Sequence, residues 1–267
     1  MSDLVIGLAF AAFILFMLPG RHRRYAAAAG WCCIVANLFL DLPAFIREAN
    51  FLYPSLALLA VPFLIITVRH TLKDDPVALR LSMSAAIATA IFVPFALVPV
   101  LRDALIGIVI NLVFLIVTAL GHHPAWYTWD VMYENGFWNQ IILGCTGILV
   151  IAMTTGVLAV VPGATIRQRV AVIIPLALAF FILNLVRVAA VFIAVSDRWF
   201  DGFPDPTGTG DANFFWAHNV VAEALAIVLL LAVLALVVRI LPGLRPYAMD
   251  VLAMYRQDLA ACRNTFR

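Results

Sequence analysis

Three residues with the side chains of a covalent catalyst lie in apolar segments of this sequence. Cys145 stands in LGCTGI, Arg187 in LNLVRVAAV and His218 in FFWAHNVVAE. A thiolate is a strong nucleophile, an imidazole can take the thiol proton, and a guanidinium can stabilise the oxyanion formed when a carbonyl is attacked. These residue types predict nucleophilic chemistry on a carbonyl group, provided that the fold brings them together.

Two glycines flank the candidate thiol. Gly144 and Gly147 remove side-chain bulk beside Cys145, so a peptide can approach it closely. A buried cysteine is otherwise most often a small apolar residue. The other cysteines indicate neither a disulfide nor a CxxC metal site; they are the adjacent Cys32 and Cys33, in an apolar segment, and Cys262, in a basic tail.

The amino-acid composition indicates the environment in which these residues lie. Of the 267 residues, 65% are hydrophobic and 12% are charged, and the mean hydropathy is +1.05. A water-soluble domain cannot cover so much apolar surface, so the sequence predicts a polytopic membrane protein. The net charge is only +2, and no basic stripe with interleaved aromatic residues is visible, which argues against a nucleic-acid partner.

Eight apolar segments are each near the length that a bilayer requires. We therefore expect an all-α bundle of about seven or eight transmembrane helices, forming a single integral membrane domain over residues 1–267. Within it we expect a catalytic core over about 121–241 and a cytoplasmic basic tail over 242–267. The segments are 3–19, 25–41, 52–68, 79–100, 103–120, 139–161, 169–196 and 215–241.

Arginine and lysine predict the orientation, because they collect on the cytoplasmic side of membrane proteins. Four basic segments are assigned to the cytoplasm, and residues 121–138 and 197–214 are left outside. The choice between seven and eight crossings stays open, since eight full crossings do not satisfy all four assignments. The basic segments are 21–24, 69–80, 167–169 and 239–267.

The three candidate residues fall at similar depths in this arrangement. Cys145 is six residues into a helix predicted to begin near Asn139, roughly 9 Å below the outer surface. Arg187 is nine residues before a predicted helix end near Ser196, roughly 14 Å deep. His218 lies at the start of the last helix. The sequence therefore predicts one cluster, in the extracytoplasmic leaflet of the cell membrane.

Polar neighbours accompany the cluster. An arginine inside a membrane costs about 2.5–3.5 kcal/mol on insertion scales, so it normally has a partner. Glu223 is a candidate partner for Arg187, and that ion pair is the structural alternative to a catalytic role. Asn184 precedes Arg187 by three residues and shares its helix face. Asn219 and Glu223 are placed to support His218.

The two outer segments are rich in aromatic residues. Rings of this kind anchor proteins at the headgroup region of a membrane. They are also suited to shaping the approach of a substrate along the membrane surface, and both interpretations stay open. The tryptophans that we consider for substrate binding are Trp126, Trp129, Trp138 and Trp216.

The ordered trio resembles the exosortases and archaeosortases, which are membrane-embedded cysteine transpeptidases. Their pattern is a Cys at the outer end of one helix, an Arg inside the next, and a His or sometimes an Arg at the start of the following helix. LGCTGI, LNLVRVAAV and FFWAHNVVAE match this pattern in order and approximate spacing, most specifically over residues 139–225. The chain most resembles the members that process surface proteins ending in a Pro-Gly-Phe motif, a hydrophobic helix and basic residues. Some of those members carry Arg where this chain has His218.

The resemblance implies a mechanism without a metal or another cofactor. Cys145 would form an acyl-enzyme near the C-terminal signal of a surface protein and release its hydrophobic tail. His218 would act as general base and acid, and Arg187 would stabilise the oxyanion, helped by the backbone N–H of Cys145 or Thr146. An amine, such as a lipid headgroup, would then accept the protein.

Two functions from other classes remain as alternatives. A transporter or channel would use Arg187, Glu223 and His218 to bind an anion or relay protons, and charges within the membrane are expected there too. Such a protein has no need for Cys145, and no inverted repeat is visible. The third hypothesis is a scaffold protein without catalysis, for which replacement of the three polar residues would have little effect. The sequence does not indicate an oligomeric state.

Overall fold

The computed structural model describes residues 2–47, 52–206, 208 and 212–265. Helices dominate this part of the chain, which confirms the all-α prediction. The α-helices are α1 (Ser2–Met17), α2 (Arg23–Arg47), α3 (Leu52–Leu72), α4 (Pro76–Leu97), α5 (Pro99–Ala119), α6 (Ile148–Ala159), α7 (Ile166–Ser196), α8 (Ala212–Phe214), α9 (Glu223–Ile240) and α10 (Leu244–Thr265).

Six helical segments of the described residues are long and apolar enough to cross a membrane. A helix satisfies every backbone polar group internally, which a bilayer requires of any segment that crosses it. Five of the six are α2, α3, α4, α5 and α7, and the sixth is Ala212–Ile240, in which α8, a π-helix over Phe215–Ala222 and α9 follow one another without a break. The chain is a multi-pass membrane protein.

The predicted number of seven or eight crossings is approximate. Two of the eight apolar segments form helices shorter than the other six, namely α1 and α6. The remaining helix, α10, occupies the predicted basic tail and is not among the six spanning segments.

The chain forms two compact units, and the candidate residues all lie in the second. The first unit comprises Met1–Val93, Ala152–Ile174 and Ala235–Arg267, and the second comprises Pro94–Ile151 and Pro175–Leu234. The predicted single integral membrane domain over residues 1–267 stays a prediction.

In the first unit, the segments assigned to the cytoplasm contact one another. Arg24 forms an ion pair with Asp74 at 2.8 Å, and Arg69 forms one with Asp258 of α10 at 3.3 Å. Asp75 caps α4, because its Oδ1 accepts a hydrogen bond from the backbone N–H two residues later. These contacts connect basic segments that are far apart in sequence.

The core of the second unit lies between α5 and α7. Val109, Val113 and Val117 are fully buried on one face of α5, at the spacing of an amphipathic helix. They belong to one apolar cluster with Phe192 of α7, and the Cys145 side chain packs against that cluster. The candidate nucleophile therefore packs against a buried apolar core.

Residues 121–138, predicted only as an outer loop, contain most of a small antiparallel sheet. Its strands are β1 (Ala125–Thr128), β2 (Val131–Glu134) and β3 (Phe137–Gln140), in that order. Asn135 and Gly136 join β2 to β3 with positive φ angles of 50° and 87°. Both angles suit the two-residue turn that Asn-Gly favours in β-hairpins.

The prediction of one helix over residues 139–161 is wrong for its first nine residues. Asn139 and Gln140 pair with β2 in the sheet, and residues Leu143–Thr146 form a single 3₁₀ turn. Gly147 ends that turn in the left-handed conformation, with φ of 76°, and α6 begins only at Ile148. A left-handed residue cannot continue a right-handed helix, so the candidate thiol lies in a turn ahead of α6.

Candidate active site

The turn that holds Cys145 is fixed by its own hydrogen bonds. The Cys145 N–H donates to Ile142 O at 2.8 Å, and Thr146 Oγ1 donates to Leu143 O at 2.7 Å. Thr146 is buried, whereas Cys145 is half-buried. Because the Cys145 N–H already has an acceptor, its predicted use as an oxyanion donor is not available in this conformation.

The sheet holds the strand that leads into this turn. The Ile141 N–H donates to Asp130 O at 2.9 Å, and Gln140 Nε2 donates to the Asp130 carboxylate at the same distance. Thr128 Oγ1 donates to the other carboxylate oxygen, and hydrogen bonds from Gln140 and Thr128 lower the pKa of Asp130. Ile141 is buried in the core, so the chain reaches Cys145 from a well-fixed position.

Asn184 connects the thiol turn to α7. Its Nδ2 donates to the Cys145 carbonyl oxygen at 2.7 Å. Its side chain also fills the space beside Gly147, where an added Cβ would lie 3.1 Å from Asn184 Cγ. A glycine is needed at this position for two reasons, the positive φ and the close approach of Asn184. The polar residue that the sequence placed on the Arg187 face therefore contacts the nucleophile's backbone.

Arg187 lies one helical turn beyond Asn184 on the same face of α7. It is half-buried, and its Nε is buried without a hydrogen-bond partner among the described residues. Its positive charge acts on both the Cys145 thiol and the His218 imidazole. The guanidinium is therefore within electrostatic reach of both other candidates. The predicted ion pair with Glu223 stays a prediction.

The pKa of the Cys145 thiol is shifted in opposite directions by its surroundings. This thiol lies in a turn outside the six spanning segments. Burial raises the pKa of Cys145, whereas a backbone hydrogen bond at Ile142 and the charge of Arg187 lower that pKa. Burial has the larger effect, so the net direction is upward. A thiol of this kind needs a base to become a nucleophile.

His218 lies in the π-helix, a feature that the sequence analysis did not predict. Its ring stacks on Phe214, with centroids 4.9 Å apart and planes at 16°. Phe214 in turn contacts Phe137 of β3, and Phe137 contacts Phe192 of α7. These rings connect the imidazole to the sheet and to the helix that carries Arg187. Short π-helical segments are frequent at functional sites, because the extra residue redirects side chains.

Small residues hold the π-helix against the end of α7. Ala217 and Ala222 are buried and pack against Val191, Ala194 and Val195 of α7. Their small side chains permit a close approach of the two helices. Of the predicted supporting residues, Asn219 follows His218 in the π-helix and Glu223 is the first residue of α9.

The predicted outer segments contact each other. His122 lies 3.5 Å from the Glu134 carboxylate and 3.9 Å from the Asp197 carboxylate. Asn213 accepts a hydrogen bond from the Phe200 N–H at 2.8 Å, which ties the 197–214 segment to the start of the last span. Both segments therefore lie at the same end of the second unit.

The predicted tryptophans are at this end, and three of them are exposed. Trp126, Trp129 and Trp138 expose 46%, 54% and 52% of their surface. Trp126 stacks on Phe114 of α5 at 4.6 Å, and Trp138 contacts Tyr127 and Tyr133 across the sheet. Trp216 is half-buried in the π-helix, and its Nε1 donates to Pro204 O at 2.9 Å. Exposed rings of this density are typical of a membrane interface or a binding surface.

Comparison with known proteins agrees with the motifs. The chain is 27% identical to archaeosortase A of Haloferax volcanii over 99% of its own length and 97% of that protein. It is 24% identical to archaeosortase A of Natronomonas pharaonis over 97% of its own length and 90% of that protein. The chain is a relative of the archaeosortases. No protein-family profile matches it, and no solved structure matches it. The resemblance inferred from the three motifs is confirmed.

Proposed function

We propose that this archaeosortase relative is a membrane-embedded cysteine transpeptidase that processes the C-termini of other proteins. Cys145 is the nucleophile, His218 the general acid and base, and Arg187 the oxyanion-binding residue. The observation that carries the proposal is the hydrogen bond from Asn184 to the Cys145 carbonyl. This bond joins the thiol turn to the helix face that presents Arg187, although Cys145 and Arg187 are 42 residues apart in sequence.

The first half of the reaction forms an acyl-enzyme. His218 takes the proton of the Cys145 thiol, and the sulfur attacks the carbonyl carbon of the scissile peptide bond. The carbonyl oxygen becomes an oxyanion, which the Arg187 guanidinium stabilises. The buried Nε–H of Arg187, unpartnered among the described residues, supports this role, since a donor of this kind is costly unless a ligand pairs it.

Collapse of the tetrahedral intermediate breaks the peptide C–N bond. The protonated His218 gives its proton to the leaving amine, so the C-terminal fragment departs as a neutral amine and a thioester to Cys145 remains. An acceptor amine then attacks the thioester carbonyl, and His218 removes its proton. Cleavage of the C–S bond, with transfer of that proton from His218 to the departing sulfur, returns the thiol and leaves the substrate joined to the acceptor through an amide.

The resemblance to the archaeosortases suggests the substrate class, and a site in a multi-pass membrane protein is compatible with it. We propose that surface proteins bring a short motif such as Pro-Gly-Phe, a hydrophobic helix and a basic tail to the extracytoplasmic leaflet of the cell membrane. A lipid amine is the proposed acceptor, because an amine within the membrane interface competes well with water. The exposed rings of Trp126, Trp129 and Trp138, with Trp216 beside His218, are the proposed approach surface for the motif.

The experiment is a processing assay with the enzyme and a substrate that carries such a C-terminal signal, both in membranes. Cys145→Ala is expected to abolish release of the C-terminal helix, so that full-length substrate accumulates. The matched control replaces Cys32, Cys33 and Cys262 by Ala and is expected to process normally. Normal processing by Cys145→Ala would contradict the proposal and favour the transporter hypothesis for Arg187 and His218.

A further inference from the structure

The outward side of α10 carries a stripe of two basic and three apolar residues. The stripe consists of Arg245, Met249, Leu252, Arg256 and Leu259, which follow one another at intervals of four, three, four and three. This spacing places all five on one face of an α-helix. The three apolar residues are 56%, 50% and 54% exposed, and both arginines are exposed as well.

The opposite side of α10 is fixed to the first unit by specific contacts. Tyr255 shares a hydrogen bond of 2.6 Å with Thr67 of α3, and its ring stacks on Phe63 at 5.5 Å. Asp258 forms the ion pair with Arg69 at the end of α3. These contacts determine which face of α10 is presented outward, so the exposure of the stripe does not result from a freely rotating helix.

The connection to α9 places α10 beside a membrane surface. The last spanning segment ends at Ile240, and α10 begins at Leu244. Leu241 and Leu244 are buried, and Gly243 approaches the backbone of Pro162 too closely to carry a side chain. A turn this short and this constrained keeps the start of α10 at the level where a spanning helix leaves the membrane.

We infer that the stripe is a docking surface for anionic lipid headgroups in the leaflet where α9 ends. The side chains of Met249, Leu252 and Leu259 enter the boundary between headgroups and acyl chains. Arg245 and Arg256 lie among them, with their stems along the apolar layer and their guanidinium groups on lipid phosphates. A helix with an apolar face and interspersed arginines is the usual form of such an interfacial segment.

Charge distinguishes this occupant from a second copy of the chain. A helix stripe with a four-three spacing also suits pairing with a like helix. In a symmetric pair, however, the arginines of both stripes would be buried in an otherwise apolar contact, and neither stripe contains an acidic residue to pair them, which makes their burial costly. Anionic headgroups supply the opposite charge to the same arginines. The inference does not depend on the proposed transpeptidase activity.

The test measures the surroundings of the stripe in the full-length protein. A single cysteine at Leu252 (Leu252→Cys), in a variant with the four native cysteines replaced by Ala, is labelled with the fluorophore NBD and reconstituted at one copy per nanodisc. Gln257→Cys, at an exposed position of the same helix outside the stripe, is the matched control. In discs of equal parts phosphatidylglycerol and phosphatidylcholine, dithionite is expected to reduce the label at 252 severalfold more slowly than at 257. Emission at 252 is expected to shift to shorter wavelength.

Two double variants assign the effect to charge. Arg245→Gln with Arg256→Gln is expected to remove the difference between phosphatidylglycerol-containing discs and discs of phosphatidylcholine alone, whereas Arg245→Lys with Arg256→Lys retains it. The exposed positions leave the melting temperature of both variants near that of the parent. Equal reduction rates at 252 and 257 in the anionic discs would overturn the inference. So would protection that arises only with two copies per disc, because it would identify a second copy as the occupant.

Discussion

Replacement of Gly147 by Ala tests whether Asn184 and the thiol turn act as one positioning unit. The alanine must adopt a φ of 76°, and its methyl group would lie 3.1 Å from Asn184 Cγ and 3.2 Å from Asn184 Cβ. The left-handed conformation costs an L-residue about 1–2 kcal/mol, and overpacking at such a contact costs about 1–3 kcal/mol. Relief of the contact displaces Asn184 and weakens its hydrogen bond to Cys145 O, which contributes about 0.5–1.5 kcal/mol.

The combined strain is large enough to measure in two ways. A loss of about 1.4 kcal/mol in transition-state stabilisation corresponds to a tenfold loss of kcat/KM, so Gly147→Ala is expected to lower processing by at least about tenfold. The melting temperature in detergent is expected to fall as well. Gly144→Ala is the matched control for the melting temperature, because its Cβ would meet only Ile142 Cδ1 at 3.9 Å and its φ is not positive. Parent-like processing by Gly147→Ala, or melting temperatures that are equal in the two variants, would contradict the positioning role of Asn184.

Three further predictions concern the same site and its orientation. Arg187→Lys is expected to lower kcat by at least about tenfold with little change in substrate binding, because Lys offers a point charge instead of a planar fork; near-normal kcat would argue against the oxyanion role. Asn184→Asp is expected to impair processing more than Asn184→Leu, since a carboxylate placed against the Cys145 carbonyl oxygen adds repulsion to the lost hydrogen bond, and paired kinetic measurements would compare them. A membrane-impermeant thiol reagent is expected to label Phe203→Cys in intact cells; labelling only after permeabilisation would reverse the proposed orientation.

Much of the membrane architecture could be predicted from the sequence. Apolar segments of about twenty residues have one stable solution in a bilayer, so the spanning helices appear where hydropathy indicates them. The Arg187 helix ends at Ser196 as expected, and Asn184 lies on its predicted face. The pattern was sufficient here because each segment is long and its constraint is local.

The surroundings of the thiol could not be predicted in the same way. Residues 141–161 form a continuous apolar segment, and an apolar segment alone does not distinguish a helix from a buried strand or turn. The signal that could have revealed the sheet is Asn135-Gly136, a strong hairpin dipeptide. The residue that prevents a continuous helix is Gly147, whose positive φ is visible only in the structure.

The π-helix around His218 has no sequence signature of its own. A π-helical segment adds a residue per turn because of how neighbouring side chains pack, and that packing is non-local. Here the contacts come from Val191, Ala194 and Val195 of α7 and from the ring of Phe137. The sequence indicated a histidine at the start of the last span, whereas the packing of its stacking partner Phe214 involves Phe137, which is far away in sequence.

The proposed transpeptidase reaction requires Cys145 to carry the substrate as a thioester. The most direct measurement is mass spectrometry of the wild-type enzyme after reaction with substrate in the absence of added acceptor amine. A peptide containing Cys145 is expected whose mass is raised by that of the N-terminal part of the substrate, and hydroxylamine is expected to release that adduct. Substrate cleaved at a normal rate, with no adduct on Cys145 at any time in the reaction, would contradict it.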